Sequence, residues 1–147
     1  MKVRVADERK YAEVIIREEL MGTPLAGQEA LFIKYGDKYK VDPLLAVAIS
    51  YHESRHCKSY VSWYNQKYHN CGGIMADSQK RILVAYPNWE AFIADFTRLL
   101  AVYIYHNGKD TIHEIGVRYA PTKAAYINRS WNGQVTRKYK ELWNRLK

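Results

Sequence analysis

Glu53 closes the most apolar stretch of the chain, Leu44-Leu45-Ala46-Val47-Ala48-Ile49-Ser50-Tyr51-His52-Glu53. Desolvation at the end of a buried helix raises a carboxyl pKa, which is what a general acid working near neutral pH requires. In glycoside cleavage such an acid protonates the leaving oxygen while a second group handles the oxocarbenium-like centre. The bland alternative is a partly buried ion pair with Arg55, Arg81 or another base. The same residues also spell His52-Glu53-Ser54-Arg55-His56, the H-E-x-x-H spacing in which two His at i and i+4 hold zinc and the Glu activates a metal-bound water. His69, Cys71 or Glu90 would then be the third ligand, although three fixed positions in five arise readily by chance. Cys57 and Cys71 allow a single disulfide, and spacing does not decide between that bond and two buried thiols.

The elements that must position these groups follow from periodicity. Tyr11, Val14, Ile15 and Glu18 recur at helical spacing over Asp7 to Leu20, ending near Gly22 and Pro24. A second helix is expected from about Gln28 to Tyr39, with Ala30, Ile33 and Phe32 as its inward candidates. Asp42-Pro43 supplies an N-cap and first-turn proline for the apolar helix, which belongs in the middle of the domain because most of its faces are apolar. Ser59 to Gly73 reads as irregular loop, and Ala76-Asp77-Ser78-Gln79 followed by Ile82-Leu83-Val84-Ala85-Tyr86 reads as a short hairpin. Pro87-Asn88 opens a long helix with Trp89, Phe92, Ile93, Phe96, Leu99, Leu100 and Tyr103 inward, stopped at Asn107-Gly108. A short helix spans Thr111 to Tyr119, before Pro121. Ser130 is a candidate cap for a last helix carrying Trp131, Val135, Tyr139, Leu142 and Leu146.

With 147 residues, 48% of them hydrophobic, and no repeat or low-complexity linker, the chain is expected to form one domain, 1–147. Its 23 Lys+Arg against 15 Asp+Glu give a formal charge of +8, which attracts polyanions: nucleic acid, anionic membrane or anionic cell wall. The basic residues are spread along the chain rather than gathered in one stripe, which argues against a nucleic-acid binder and for a solvated cationic face. Thirteen Tyr and four Trp provide rings suited to stacking on sugars or bases, or to lining the core with the polar end at its edge. No stretch reaches the roughly 18 apolar residues of a membrane span, and Met1 to Leu20 is charged throughout, unlike a signal peptide.

Four pieces in order give the sequence a family likeness. Val41 to Ser54 resembles the helix that ends in a catalytic Glu-Ser. His69-Asn70-Cys71-Gly72-Gly73-Ile74-Met75 resembles the Asn-x-x-Gly-Ile loop that closes under that Glu. Ala85 to Ile93, with Tyr86-Pro87-Asn88-Trp89, is similar to the strand-to-helix step after the hairpin. Tyr119-Ala120-Pro121 with Asn128 and Trp131 is similar to a Tyr-Ala motif and the start of the last helix. Over residues 31–142 the chain thus resembles the glucosaminidase branch of the lysozyme-like superfamily of peptidoglycan hydrolases, with 1–26 as an N-terminal helix and connection. The resemblance implies a mainly α, lysozyme-like fold in which a helical lobe and a small β-hairpin lobe flank a substrate groove. It implies Glu53 as acid, Tyr119 as a cleft residue supporting the transition state, and Asp77 as the candidate second carboxylate. Ser54, Asn70, Gly73, Ile74, Tyr86, Asn128 and Trp131 would meet substrate. No metal or cofactor is implied. Bacterial peptidoglycan strands would be the partner of a monomer that neither binds nucleic acid nor inserts stably in membrane, acting at the wall as a phage or virion protein or as a domain of an exported one. A lytic transglycosylase or a muramidase on the same fold is the nearer alternative, and the zinc peptidase the more distant one.

Overall fold

The computed structural model describes residues 9–58, 66–77, 82–108, 111–119 and 125–146; for residues 9, 10, 77, 117–119 and 125–130 it describes the backbone alone. The protein is mainly helical, and among the described residues it has one small antiparallel sheet. The helices are α1 (Arg9–Leu20), α2 (Glu29–Tyr39), α3 (Pro43–Ser54), α4 (Trp89–Ala101), α5 (Ile112–Tyr119) and α6 (Ala125–Asn144), and the strands are β1 (Met75–Asp77) and β2 (Ile82–Leu83). Among the described residues no helix is long and apolar enough to cross a membrane.

α3 is the axis of the core. Every residue from Pro43 to Ser50 is buried, and α3 packs most extensively against α6, while α2 lies against α4 and α5 against α6. A helix apolar on nearly all faces has no side to show to water, so the other helices enclose it. Its N-terminus is held as the sequence predicts: the Asp42 side chain accepts from Leu44 N at 2.9 Å. The same carboxyl also accepts from the Tyr139 hydroxyl and, at 3.0 Å, from Trp143 Nε1, which fastens the last helix to the start of the central one. Gly36 allows this corner to close, since a Cβ there would lie 2.8 Å from Val41 O.

Other expectations are adjusted by packing. The buried stripe of α1 is Ala12, Ile15, Ile16 and Leu20, whereas Tyr11 and Val14 face outward. In α2 Phe32 is buried and Ala30 is exposed, so the inward stripe is rotated by two residues from Ala30. Asn88 caps α4 through Ala91 N at 2.8 Å. α4 continues as a π-helical turn, Val102–His106, in which Asn107 N reaches back to Val102 O. Thr111 caps α5 by exchanging hydrogen bonds with Glu114. Ser130 is not a cap, because α6 already begins at Ala125. The hairpin is shorter than expected, pairing Met75 with Leu83 and Asp77 with Ile82 across an irregular register.

Because Asp42 joins a cap to two long-range donors, Asp42→Ala should destabilise the fold by about 2–4 kcal/mol in chemical denaturation. A loss under about 1 kcal/mol, the size of a cap alone, would mean that the Tyr139 and Trp143 hydrogen bonds contribute nothing.

Candidate active site

α3 ends in an unusual turn. After Ser54 the chain takes left-handed backbone angles at three successive non-glycine residues, Arg55, His56 and Cys57, with φ of 53°, 58° and 68°. Each such residue costs on the order of 1 kcal/mol and persists only where surrounding structure fixes it. Here the fixing groups are identifiable. Ser54 Oγ accepts from Cys57 N at 2.9 Å and donates to Cys71 O at 2.7 Å, and Cys57 is disulfide-bonded to Cys71. The bond closes a loop between cysteines 14 residues apart, which in the chain-entropy account stabilises by about 3 kcal/mol.

The disulfide carries the turn onto the loop 66–74, and Asn70 gives that loop its shape. The buried Asn70 side chain accepts from Ile74 N at 3.0 Å and donates to Ile74 O at 2.8 Å and to Val84 O at 2.9 Å, sealing the loop to the base of the hairpin. Gly73, at φ +66°, then passes so close to the end of α3 that a Cβ on it would lie 3.4 Å from Glu53 Oε2. Only glycine combines that backbone angle with that approach at no strain.

On the other side of the carboxyl, Trp131 Nε1 donates to Glu53 Oε1 at 2.7 Å. Trp131 is buried, and His52 meets its ring edge-on. Glu53 Oε2 has no hydrogen bond among the described residues, so a proton on the neutral acid belongs on Oε2, the oxygen facing Gly73. Burial pushes the Glu53 carboxyl up to about 7, and the Trp131 hydrogen bond pulls in the opposite direction without cancelling it. Among the described residues no neighbouring charge takes part in that shift. Burial likewise pushes the His52 imidazole down, against a hydrogen bond with Gln134, so it is neutral near pH 7.

The H-E-x-x-H spacing does not form a two-histidine face. The helix stops at Ser54, and the left-handed turn directs His56 to the opposite side, where Nδ1 meets Ser50 Oγ at 3.1 Å and Nε2 meets Glu19 Oε2 at 2.8 Å. Both ring nitrogens are occupied. Ser50, His56 and Glu19 thereby form a Ser-His-Glu relay, but Ser50 is fully buried inside the helix and no substrate can reach its hydroxyl.

The remaining site candidates fall into three groups. Glu53, Gly73 and Trp131 are brought together around one carboxyl, with Trp131 acting through Glu53, while Ile74 is the residue that Asn70 holds. Ser54, Asn70 and Tyr86 are committed elsewhere: Ser54 and Asn70 hold the loop as described, and the Tyr86 hydroxyl donates to Asp95 Oδ2 at 2.6 Å, toward α4 rather than the Glu53 side. Asp77 lies on β1, Tyr119 ends α5 and Asn128 lies in α6, but their side chains are outside the described residues. What the sequence did not reveal is the Trp131 contact itself, which spans 78 positions. Also unforeseen was an ionic cluster behind the turn, in which Lys138 Nζ meets Glu19 Oε1 at 2.9 Å and Arg145 Nη1 meets it at 3.4 Å.

The sequence matches no protein-family model and no curated protein. The functional reading therefore rests on the residues themselves.

The pKa of Glu53 has a consequence for stability. Its folded value lies above the ordinary 4.5, so its contribution is fully present below pH 4.5 and is lost as pH rises through about 7. Glu53→Gln, which cannot ionise, should match the native protein near pH 4.5 and exceed it by about 3 kcal/mol at pH 8 in urea denaturation. Glu19 acts at the other end of the scale. Burial alone would raise it, but hydrogen bonds with His56 and Lys138 outweigh that and hold it at about 2, so both proteins should lose stability alike as pH falls from 4.5 toward 2. A difference between them that stays flat from pH 5 to 8 would show that the Glu53 carboxyl is hydrated.

Proposed function

We propose that this chain is a peptidoglycan glycan-strand hydrolase of the N-acetylglucosaminidase type, built on a lysozyme-like fold, with Glu53 as general acid on the β-1,4 bond between amino sugars. One observation carries the reading: a desolvated carboxyl, pushed up to about 7, with one oxygen held by Trp131 and the other beside Gly73 with no hydrogen-bond partner among the described residues. At neutral pH about half of such an acid is protonated, which suits proton transfer to a leaving glycosidic oxygen. The protein has the general form this requires, with a helical body and a small hairpin next to the acid.

In this mechanism the glycosidic oxygen approaches Glu53 Oε2 along the face left open by Gly73. As the proton departs, the charge left on the carboxylate is met by the Trp131 indole N–H at Oε1. Trp131 is thus a positioning residue that fixes the rotamer of the acid and stabilises its conjugate base. The oxocarbenium-like centre needs a second group, for which Asp77 on β1 and Tyr119 at the end of α5 are the candidates.

A second reading draws on a different observation. Among the described residues no carboxylate contributes to the shift of Glu53, the side chain of Asp77 lying outside them, whereas a paired-carboxylate site places the second acid close by. A lone acid also suits attack by the substrate's own N-acetyl or 6-hydroxyl group, as in a lytic transglycosylase. Digestion of purified peptidoglycan, reduction and mass spectrometry separate the cases. Reducing GlcNAc ends support the glucosaminidase, reducing MurNAc ends a muramidase, and anhydro-MurNAc a transglycosylase; intact glycan strands would overturn all three.

Two substitutions test the assignments. Glu53→Gln should lower cleavage by about 10²- to 10⁴-fold while the fold survives. Trp131→Phe removes the hydrogen bond that lowers the Glu53 pKa, so the alkaline limb of the rate profile, near pH 7 in the native enzyme, should move upward while the maximal rate falls. A limb that stays in place would leave Trp131 a packing role only.

A further inference from the structure

The strained turn that ends α3 presents a second surface, away from the acid. Tyr51 and Arg55 lie two residues before and after Glu53, close to the opposite face of the helix. Between them and the α1 end is an open cavity of about 360 Å³, with Glu19, Met21, Thr23, Tyr51, Arg55 and Lys58 on its walls. That is room for a ligand the size of one or two amino-acid residues.

The charges in this cavity are unequal. The one acid, Glu19, already meets Lys138, His56 and Arg145. The Arg55 and Lys58 side chains, in contrast, have no hydrogen-bond or ion-pair partner among the described residues. The Arg55 guanidinium rests on the Tyr51 ring, 4.3 Å from its centroid, and Lys138 Nζ lies 4.1 Å from the same centroid. Stacking orients the planar guanidinium and leaves its N–H edge available, the geometry in which Arg takes a carboxylate bidentately. The turn that presents it is costly, with Arg55 at φ 53° and His56 and Cys57 also left-handed, and it is clamped by the disulfide and by two hydrogen bonds to His56.

We propose that this cavity binds the carboxylate end of a short peptide, with Arg55 and Lys58 taking the carboxylate and Tyr51 and Met21 its aliphatic part. An organic carboxylate fits better than phosphate, because the walls combine two unpartnered cations with a thioether and an aromatic ring. Resting on the hydrolase reading above, the source is the stem peptide of peptidoglycan, so the cavity recognises the peptide while Glu53 works on the glycan.

The test is binding, independent of catalysis. Full-length protein is titrated with N-acetyl-D-alanyl-D-alanine, its C-terminal amide and inorganic phosphate, and followed by NMR. The free acid should shift the Tyr51 and Arg55 resonances with saturation, and the amide should bind at least about tenfold more weakly. Arg55→Gln and Lys58→Gln should each weaken the acid by a similar factor, and Lys58, being exposed, is replaceable without risk to the fold. Equal binding of acid and amide, no effect of either substitution, or tighter binding of phosphate would each overturn the proposal. Glu53→Gln should bind the dipeptide as the native protein does. Dipeptide binding with uncut peptidoglycan would reject the hydrolase and keep the cavity, whereas cleavage without dipeptide binding would do the reverse.

Discussion

Burying a helix on all faces forces every polar group at its ends to find a partner, and α3 shows this constraint at both termini. At the start, one carboxylate, Asp42, gathers Leu44 N, the Tyr139 hydroxyl and the Trp143 indole. At the end, the polar residues divide between two sides. Ser54 and His56 are fully engaged, by Cys71 O and Cys57 N in one case and by Ser50 and Glu19 in the other. Glu53 is the exception, with one oxygen bonded and one open. A buried acid left half satisfied costs stability near neutral pH, and that cost is the mark that separates it from the structural polar groups around it.

The disulfide and the left-handed turn serve this arrangement. Without them the loop carrying Gly73 would be joined to α3 only by single hydrogen bonds such as that from Ser54 to Cys71 O. With Cys57 tied to Cys71, the position of Gly73 beside Glu53 Oε2 is set by a covalent bond two residues away. Asn70 then transmits the same constraint to the hairpin through Val84 O. The small sheet, too short to be stable alone, is held in place by its attachment to the loop.

Local signals in the sequence were legible. The Asp42-Pro43 start, the apolar run to Glu53, the Asn88 cap and the stop at Gly108 all depend on neighbours a few residues apart, and each is present. What failed depended on distance or on backbone handedness. His52 and His56 have the spacing of a metal pair only if the helix continues, and nothing in the letters says that Arg55 turns left-handed. Tyr11 and Val14 have helical spacing, but which stripe is buried was decided by what α1 packs against. Ser130 is a good cap type placed inside a helix. The Trp131 bond to Glu53 and the Lys138 bond to Glu19 cross most of the chain, and no local spacing points to either. A Tyr-x-x-x-Arg pair at Tyr51 and Arg55 was visible at i, i+4 spacing and could have directed attention to the cationic side of the turn.

The balance at Glu53 explains why a buried acid is paired with an indole rather than a cation. Burial alone favours the neutral carboxyl, and an acid that forms its carboxylate less readily gives up a proton less readily. An Arg or Lys in place of Trp131 would err in the other direction, holding the group ionised with no proton to give. A neutral N–H donor is intermediate: it stabilises the carboxylate by a hydrogen bond but adds no net charge, and the result is a pKa of about 7. In the proposed mechanism the same bond strengthens as negative charge develops on the departing side of the proton transfer, so it would contribute more in the transition state than in the resting acid. The indole must be dry and fixed to do this, and Trp131 is both, buried in α6 against the end of α3 with His52 at its edge. Packing of the last helix on the central one therefore sets the electrostatics of the acid.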